Sequence, residues 1–197
     1  RVGKLARAYP DAYVHTHLAE NPAEVAWVAE LFPWSRSYLD VYDRFGMLRE
    51  RALYAHCVHL DARDRRRMAE SGAVIGFCPT SNLFLGSGLV DYAAARAQGV
   101  PVGLATDVGG GTSFSMLRTA AEAYKVAQLK GTSLSPARLL YLVTLAGAEA
   151  LSVADRIGSF RAGREADQVV LDPAATPLLE GRNAAPETVL EQLFALL

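Results

Sequence analysis

Four short apolar segments, each followed by a helix-like segment, constrain the fold of this chain more than any other feature. The apolar segments lie at residues 13–20, 52–57, 73–78 and 101–107. Four strand-then-helix units in succession predict a parallel sheet with right-handed crossovers. Two architectures fit this alternation, an α/β barrel and a doubly wound sheet.

Three of these segments end at side chains that can bind a metal. The first carries His15 and His17, which point the same way because alternate residues of a strand share a face, and Glu20 follows on the next turn. The second segment carries His56 and the fourth ends at Asp107. Both architectures place their active sites at the carboxyl ends of the strands, so the pattern predicts a site there.

Neutral imidazoles combined with a carboxylate, without a soft ligand, are typical of a Zn²⁺ or Fe²⁺ site. A single histidine at a strand end is more often a structural hydrogen-bonding group. Compatible residues at three strand ends, His17, His56 and Asp107, favour metal binding instead. Glu20 lies close enough to move protons without binding the ion.

The composition limits the class of protein. At 197 residues, with 51% hydrophobic and 21% charged residues, the chain is typical of a soluble globular protein with a sizeable core. A net charge of -1 gives no electrostatic indication of a nucleic-acid or anionic-membrane partner. No apolar run is long enough to span a bilayer. Because Cys57 and Cys78 lack CxxC spacing, we expect no disulfide framework, no cysteine zinc site and a reduced, cytoplasmic compartment.

Capping residues predict the helices between the strands. Asn21 and Asp61 are typical N-caps, and Pro22 and Pro136 suit first helical positions. The arginine-rich stretch 63–67 is interpreted as a solvated helix face, in preference to a phosphate site. The predicted helices cover residues 1–9, 22–32, 38–45, 61–72, 90–98, 113–130 and 135–151.

The remaining segments are predicted to be irregular or β-like. Residues 79–82 predict a polar turn, and the glycines at 109–111 are expected to let the backbone approach a flat ligand or let the next helix pack closely. Residues 157–172 predict short β pieces joined by glycine turns. Residues 186–197 predict an amphipathic helix or strand.

Several motifs resemble the amidohydrolase superfamily of metal-dependent (β/α)8 barrels. They are His17-Leu-Ala-Glu20, Ala55-His56, Cys78-Pro-Thr-Ser-Asn82 and Thr106-Asp107-Val-Gly-Gly-Gly-Thr-Ser-Phe-Ser-Met-Leu117. The first motif and the aspartate are shared across the superfamily, whereas the last two strings are more similar to its guanine deaminase family. The resemblance implies the C-terminal half of a TIM-type barrel over residues 1–153. It also implies part of a small β-sandwich subdomain over residues 154–197.

The resemblance also implies roles. His17, His56 and Asp107 would hold the metal, zinc or alternatively iron, and Asp107 would also take a proton from the attacking water. Glu20 would protonate the purine ring nitrogen and then help the amine leave. His56 would additionally contact the substrate. Asn82 would line the pocket, with a turn-forming role as the alternative.

The implied activity is hydrolytic deamination of guanine to xanthine and ammonia. The implied setting is cytoplasmic purine metabolism, in an enzyme that is a homodimer at full length and has neither nucleic acid nor membrane as a partner.

Members of this superfamily open with a strand that ends in an HxH metal pair, and no such strand precedes Tyr13. We therefore expect a C-terminal portion of a longer enzyme, inactive alone and stable only when its open sheet edges are covered. Three alternatives stay open: His15 and His17 replace the missing pair, the chain is a related chlorohydrolase or deaminase of another heterocycle, or it is a non-catalytic fragment. Otherwise His15 is expected in the pocket wall and His59 near the rim.

Overall fold

Four parallel strands form a single sheet in the computed structural model, which describes residues 1–184, 188, 191 and 192. The strands are β1 (Val14–Leu18), β2 (Ala52–His56), β3 (Val74–Phe77) and β4 (Val102–Leu104). Each strand pairs with the next one along the chain, in the order β1-β2-β3-β4. This consecutive order, without a reversal, is the order of a barrel sheet, so the predicted partial barrel is confirmed.

Helices connect the strands and cover one face of the sheet. Asn21 and Asp61 cap their helices as predicted, because each side-chain oxygen accepts a hydrogen bond from a backbone N–H three residues later. The helices in the described part of the chain are α1 (Val2–Ala8), α2 (Pro22–Leu31), α3 (Tyr38–Arg44), α4 (Ala62–Ser71), α5 (Pro79–Phe84), α6 (Tyr92–Ala97), α7 (Met116–Leu129), α8 (Pro136–Val143), α9 (Leu145–Ala150) and α10 (Pro177–Arg182). None of these helices is long and apolar enough to cross a membrane.

The core lies between the sheet and the helices. Leu18, Tyr54, Ile75 and Phe77 share one face of the sheet by register and are almost fully buried. Burial of each such side chain contributes about 1.5–3 kcal/mol relative to exposure. Helical residues of the same core cluster include Leu39, Met68, Ala95, Ala123, Val126, Leu139 and Leu142.

Residues 79–82 form part of helix α5, so the predicted polar turn is wrong. Pro79 occupies the first helical position, and Thr80, Ser81 and Asn82 are all buried. Polar residues of this kind favour turns when they hydrogen-bond to their own backbone. Here Thr80 donates instead to the carbonyl of Thr106, beyond β4. Tertiary contacts therefore decide the local conformation.

The single helix predicted over 135–151 is divided into α8 and α9. The division falls at Thr144, whose backbone leaves helical geometry with a φ of −128° and a ψ of −94°. Its hydroxyl donates to the carbonyl of Leu140, a bond that competes with helix continuation. The redirected α9 packs closely on β4, where a Cβ on Gly103 would lie 3.6 Å from the Cα of Gly147.

Residues 157–172 contain bends, a turn and irregular backbone but no strand, so the β pieces predicted there are wrong. Phe160, Val169 and Val170 are exposed. A strand needs a hydrogen-bonding partner, and no segment of the described chain pairs with this stretch. The helix or strand predicted over 186–197 lies outside the described residues, apart from positions 188, 191 and 192.

The sheet is open at both sides, since no described strand pairs with the outer edge of β1 or of β4. A cavity of about 700 Å³ lies beside β1. Its lining includes Leu5, Tyr9, Tyr13, His15 and Phe45.

Candidate active site

The candidate ligands lie side by side at the carboxyl ends of the strands. The ring of His17 stacks on the ring of His56, with centroids 5.3 Å apart and planes 17° from parallel. Asp107 follows β4, and one of its carboxylate oxygens lies within 4.8 Å of a ring nitrogen of His56. The structure therefore brings His17, His56 and Asp107 to the edge of the sheet that the sequence indicated.

The backbone is strained where these side chains are presented. Ala19, His56, Cys57 and Asp107 have positive φ angles of 49°, 71°, 55° and 48°. Non-glycine residues rarely adopt this left-handed conformation, which costs about 1–3 kcal/mol each and concentrates at functional sites. The strain marks the ends of β1, β2 and β4, the same three strand ends that carry the candidate ligands.

His56 is a buried and neutral imidazole, with a side chain only 1% exposed. Burial lowers its pKa, and this effect outweighs the nearby negative charges of Glu20 and Asp107, which oppose it. The neutral imidazole is the form that binds metals.

Asn82 contacts one ring nitrogen of His56 and leaves the other free. The amide nitrogen of Asn82 lies 2.9 Å from Nδ1 of His56, while Nε2 of His56 and Oδ1 of Asn82 are buried without a partner. An asparagine amide has nearly the same shape when its oxygen and nitrogen are exchanged. With the oxygen turned to the ring, Nδ1–H donates to Oδ1, and Nε2 keeps a free lone pair.

The free lone pair on Nε2 fits a divalent metal. Imidazole nitrogen and carboxylate oxygen are the donors that Zn²⁺ and Fe²⁺ take, and an outer hydrogen bond to the second ring nitrogen is typical of metal-binding histidines. His17 lies outside the tightest donor group, but it is exposed and its ring stacks on that of His56, which belongs to the group.

Cys78 belongs to the tightest donor group and was missed by the sequence reasoning. Its sulfur lies within 4.8 Å of the donor atoms of His56 and Asp107. Burial, together with the negative charge of Asp107, raises the pKa of the Cys78 thiol to about 12, and the thiol donates to the carbonyl of Gly76. In this structure Cys78 is thus a neutral wall beside Asp107. Its position directly after β3 was the available signal.

Glu20 is held at the rim of the same cluster. Its backbone N–H donates to the carboxylate of Glu24, and its own Oε2 lies 3.7 Å from Nε2 of His56. The Glu20 side chain is 18% exposed, so it is largely shielded yet open to a substrate. The hydroxyl of Ser87 donates to its other oxygen, Oε1, at 3.0 Å.

The remaining histidines lie apart from the metal-donor group. His15 is exposed on β1 and lines the cavity beside that strand, two residues before His17. His59 donates from Nε2 to the carbonyl of Ser87 at 2.8 Å. Asn82 lies within α5, so its turn-forming alternative is wrong. Its contact with substrate stays a prediction.

The glycines at 109–111 are required by the local backbone conformation. This role is additional to the two that were predicted. A Cβ on Gly111 would overlap the carbonyl oxygen of Thr106 and lie 2.9 Å from that of Asp107. A Cβ on Gly110 would lie 3.2 Å from Oδ2 of Asp107. These glycines therefore permit the tight turn that presents the Asp107 carboxylate.

Comparison with known proteins places the chain in a family. A family model described as "Amidohydrolase family" matches residues 1–195. The chain belongs to the Amidohydrolase family. This amidohydrolase chain is 47% identical over 194 residues to the guanine deaminase of Escherichia coli K12, a match that covers 98% of the chain and 44% of that protein. It spans less than half the length of the curated relatives that it matches first, at 44% and 45%.

Solved structures of similar proteins share the fold. E. coli guanine deaminase matches with a TM-score of 0.96 over 98% of this chain and 45% of its own. A guanine deaminase of C. acetobutylicum with guanine bound in its active site is 31% identical, with a TM-score of 0.77 over 82% of this chain and 40% of its own. An adenosine deaminase of Xanthomonas campestris with bound zinc is 30% identical, with a TM-score of 0.87 over 98% of this chain and 43% of its own.

Proposed function

We propose that this chain supplies the latter half of the active site of a zinc-dependent guanine deaminase, which hydrolyses guanine to xanthine and ammonia. The observation that carries this proposal is that His17 and Asp107, from two other strand ends, both lie against His56. The shielded carboxylate of Glu20 lies beside the same histidine. The 47% identity to E. coli guanine deaminase supports the choice of guanine within the family. So does the C. acetobutylicum relative, which binds guanine.

His17, His56 and Asp107 would hold the metal, together with a histidine pair from a preceding barrel half. A divalent ion in such a site supplies a water activated at neutral pH. Zinc is favoured over iron because the similar adenosine deaminase binds zinc. Cys78 would stay a neutral wall of this site, since burial raises the pKa of its thiol to about 12.

Asp107 and Glu20 would share the proton transfers. Asp107 has a carboxylate oxygen within 4.8 Å of a ring nitrogen of His56 and would accept a proton from the attacking water. Glu20 would deliver a proton from Oε2 to the purine ring nitrogen, which prepares the ring carbon for attack. It would then take up the proton of the added hydroxyl and pass it to the leaving amine, and the proton that Asp107 accepted would return Glu20 to its acid form.

The two roles proposed for His56 compete for one atom. Asn82 occupies Nδ1, so Nε2 alone can face either the metal or the substrate. We assign Nε2 to the metal because it is the ring nitrogen without a hydrogen-bond partner and His56 belongs to the tight donor group with Asp107. Contact between Nε2 and the substrate is the competing assignment. Asn82 then acts through His56, with its own substrate contact as a further proposal.

A substrate panel on the completed barrel tests this function. The completed barrel is this chain preceded by a first barrel half that carries an HxH strand, and the panel contains guanine, adenine and a chlorinated triazine. We expect ammonia release from guanine and at least a hundredfold lower kcat/KM on adenine. Chloride release from the triazine without guanine turnover would instead establish a chlorohydrolase. A matched control with Asp107→Asn should abolish every activity.

Assembly, location and domain division are further proposals. The enzyme is proposed to act in cytoplasmic purine metabolism, where its free and buried Cys57 and Cys78 would stay reduced. It is proposed to form a homodimer, which size-exclusion chromatography with light scattering on the completed barrel would test. The division between 1–153 and 154–197 predicts that proteolysis of the folded enzyme starts after residue 153.

A further inference from the structure

Ser87 forms hydrogen bonds with residues that follow three of the four strands. Its backbone N–H donates to the carbonyl of Asn82 at 2.9 Å, on the β3 side. Its carbonyl accepts from Nε2–H of His59, on the β2 side, at 2.8 Å. Its hydroxyl donates to Oε1 of Glu20, on the β1 side, at 3.0 Å. All three polar groups of Ser87 are engaged, and the residue is 3% exposed.

The next residue lets this loop lie close to its neighbours. Gly88 has a φ of +126°, and a Cβ there would lie 2.9 Å from a methyl group of Val58 and 3.5 Å from the ring of His59. The backbone N–H of His59 in turn donates to the carbonyl of Ala19, the residue before Glu20. His59 therefore links Ser87 to the chain segment that carries Glu20.

The hydroxyl of Ser87 distinguishes the two oxygens of the Glu20 carboxylate. Oε1 accepts the hydroxyl proton, whereas no side chain in the described residues donates to Oε2, which lies 3.7 Å from Nε2 of His56. Oε2 is therefore the carboxylate oxygen left free, and it faces His56 of the metal-donor group. Fixing one carboxylate oxygen also limits rotation of the carboxylate, which pre-organises the group for transfer.

We propose that Ser87, braced by His59, is the positioning residue for Glu20, directing its proton-carrying oxygen toward the substrate. The proposal rests on the proposed function and extends it to two residues to which the sequence analysis gave no role in proton transfer. Neither residue touches the reacting atoms. Both act through Glu20, so the losses in kcat caused by replacing Ser87 and by replacing Glu20 should not add. This makes the proposal testable.

The test uses the completed barrel with bound metal, in four forms: unmodified, Ser87→Ala, His59→Ala and His59→Gln. Ser87→Ala should lower kcat on guanine about tenfold, a part of the roughly 10²–10⁴-fold that acid–base catalysis supplies. KM and metal content should change less than twofold. His59→Ala should show a smaller loss in kcat, and His59→Gln should recover it because the glutamine amide can donate to the Ser87 carbonyl.

A matched control and a double variant separate positioning from folding. Thr119→Val removes another fully buried hydroxyl that donates at 3.0 Å, but to the carbonyl of Ser115, the N-cap of α7, and should leave kcat unchanged. In a Glu20→Gln background, Ser87→Ala should produce less than a twofold further loss. A full tenfold loss in that background would overturn the proposal.

Crystal structures of the unmodified and Ser87→Ala completed barrels give a readout that is independent of turnover. We expect the Glu20 carboxylate to leave its position or to occupy several rotamers in Ser87→Ala. An unchanged Glu20 carboxylate would overturn the proposal. If the unmodified completed barrel binds metal but does not turn over guanine, the proposed function fails, and the Glu20 position alone decides the role of Ser87.

Discussion

The imidazoles of His17 and His56 are stacked, although strict alternation along the strands would place them on opposite faces of the sheet. The register pairs His56 with Leu18, which lies on the opposite face of β1 from His17. His56 departs from strand geometry with a φ of 71°, and its ring meets that of His17 at 5.3 Å. Backbone strain at the end of β2 therefore joins two candidate ligands that regular strands would separate.

Glu20→Gln should lower kcat at least a hundredfold in the completed barrel. The amide cannot supply the proton that acid–base transfer requires, and such transfer contributes roughly 10²–10⁴-fold. Metal content should be unchanged, because Glu20 is not among the proposed ligands. Kinetics with guanine and elemental analysis check both expectations. The control Glu30→Gln, exposed near the end of α2, should leave kcat as it is, and equal losses in both variants would contradict the role of Glu20.

His56→Ala should lower the metal content of the completed barrel, because Nε2 is assigned to the metal. Elemental analysis after dialysis against a weak chelator measures the loss, with His15→Ala as the control on the neighbouring strand. His15 lies outside the metal-donor group, so its replacement should preserve the metal. Full metal content in His56→Ala with a large loss of kcat/KM would reassign Nε2 to the substrate.

Gly111→Ala should destabilise the fold by about 1–3 kcal/mol, the usual range for an overpacked site. A Cβ there would overlap the carbonyl oxygen of Thr106, so the turn before α7 must shift and Asp107 with it. Denaturant unfolding of the completed barrel measures the change. Gly147→Ala is the matched control: it lies in α9 with no atom within 4 Å of the added Cβ, and it should stabilise by up to about 1 kcal/mol. Equal stability of the two variants would contradict this account of the turn.

The arginine-rich helix α4 is joined to α3 by ion pairs that depend on pH. Arg67 pairs with Asp40 and Asp43 of α3. Burial acts to raise the pKa of Asp40, but hydrogen bonds from the Arg36 backbone and from Arg67 outweigh it and hold that pKa below its ordinary value. A depressed carboxyl pKa stabilises the folded state above the unfolded-state pKa, and this contribution is lost as pH falls through the folded-state value.

Asp40→Asn should therefore destabilise the completed barrel at pH 7 by about 0.5–1 kcal/mol, the range of a partly exposed ion pair. The difference in the free energy of unfolding between Asp40→Asn and the unmodified protein should shrink as pH falls below about 4. There Asp40 becomes protonated first in the unfolded protein and then in the folded protein. Urea unfolding at several pH values measures it. Glu70→Gln, exposed at the end of α4, should show no such dependence, and a constant difference for Asp40→Asn would refute the assignment.

The sequence predicts the sheet well because its signals there are local. Apolar runs locate all four strands, and the N-caps Asn21 and Asp61 place two helix starts. The candidate ligands follow from the rule that parallel strands end at one edge. That argument needs only the strand ends and no knowledge of the helices between them.

What the sequence does not predict depends on distant contacts. Helix α5 forms in place of a turn because Thr80 bonds to Thr106, after β4, and Asn82 bonds to His56, at the end of β2. Ser87 carries no local signal, since its importance arises from partners that follow three separate strands. Cys78 lacks the spacing of a cysteine metal site, and only the fold brings it to Asp107.

Metal content and guanine turnover, measured together on this chain alone and on the completed barrel, test the central claim most directly. The account predicts little metal and no ammonia release from the chain alone, and close to one metal per chain with turnover after completion. Near one metal per chain with turnover by the chain alone would contradict it and would make His15 a ligand with His17. Metal binding without guanine turnover after completion would contradict the proposed substrate.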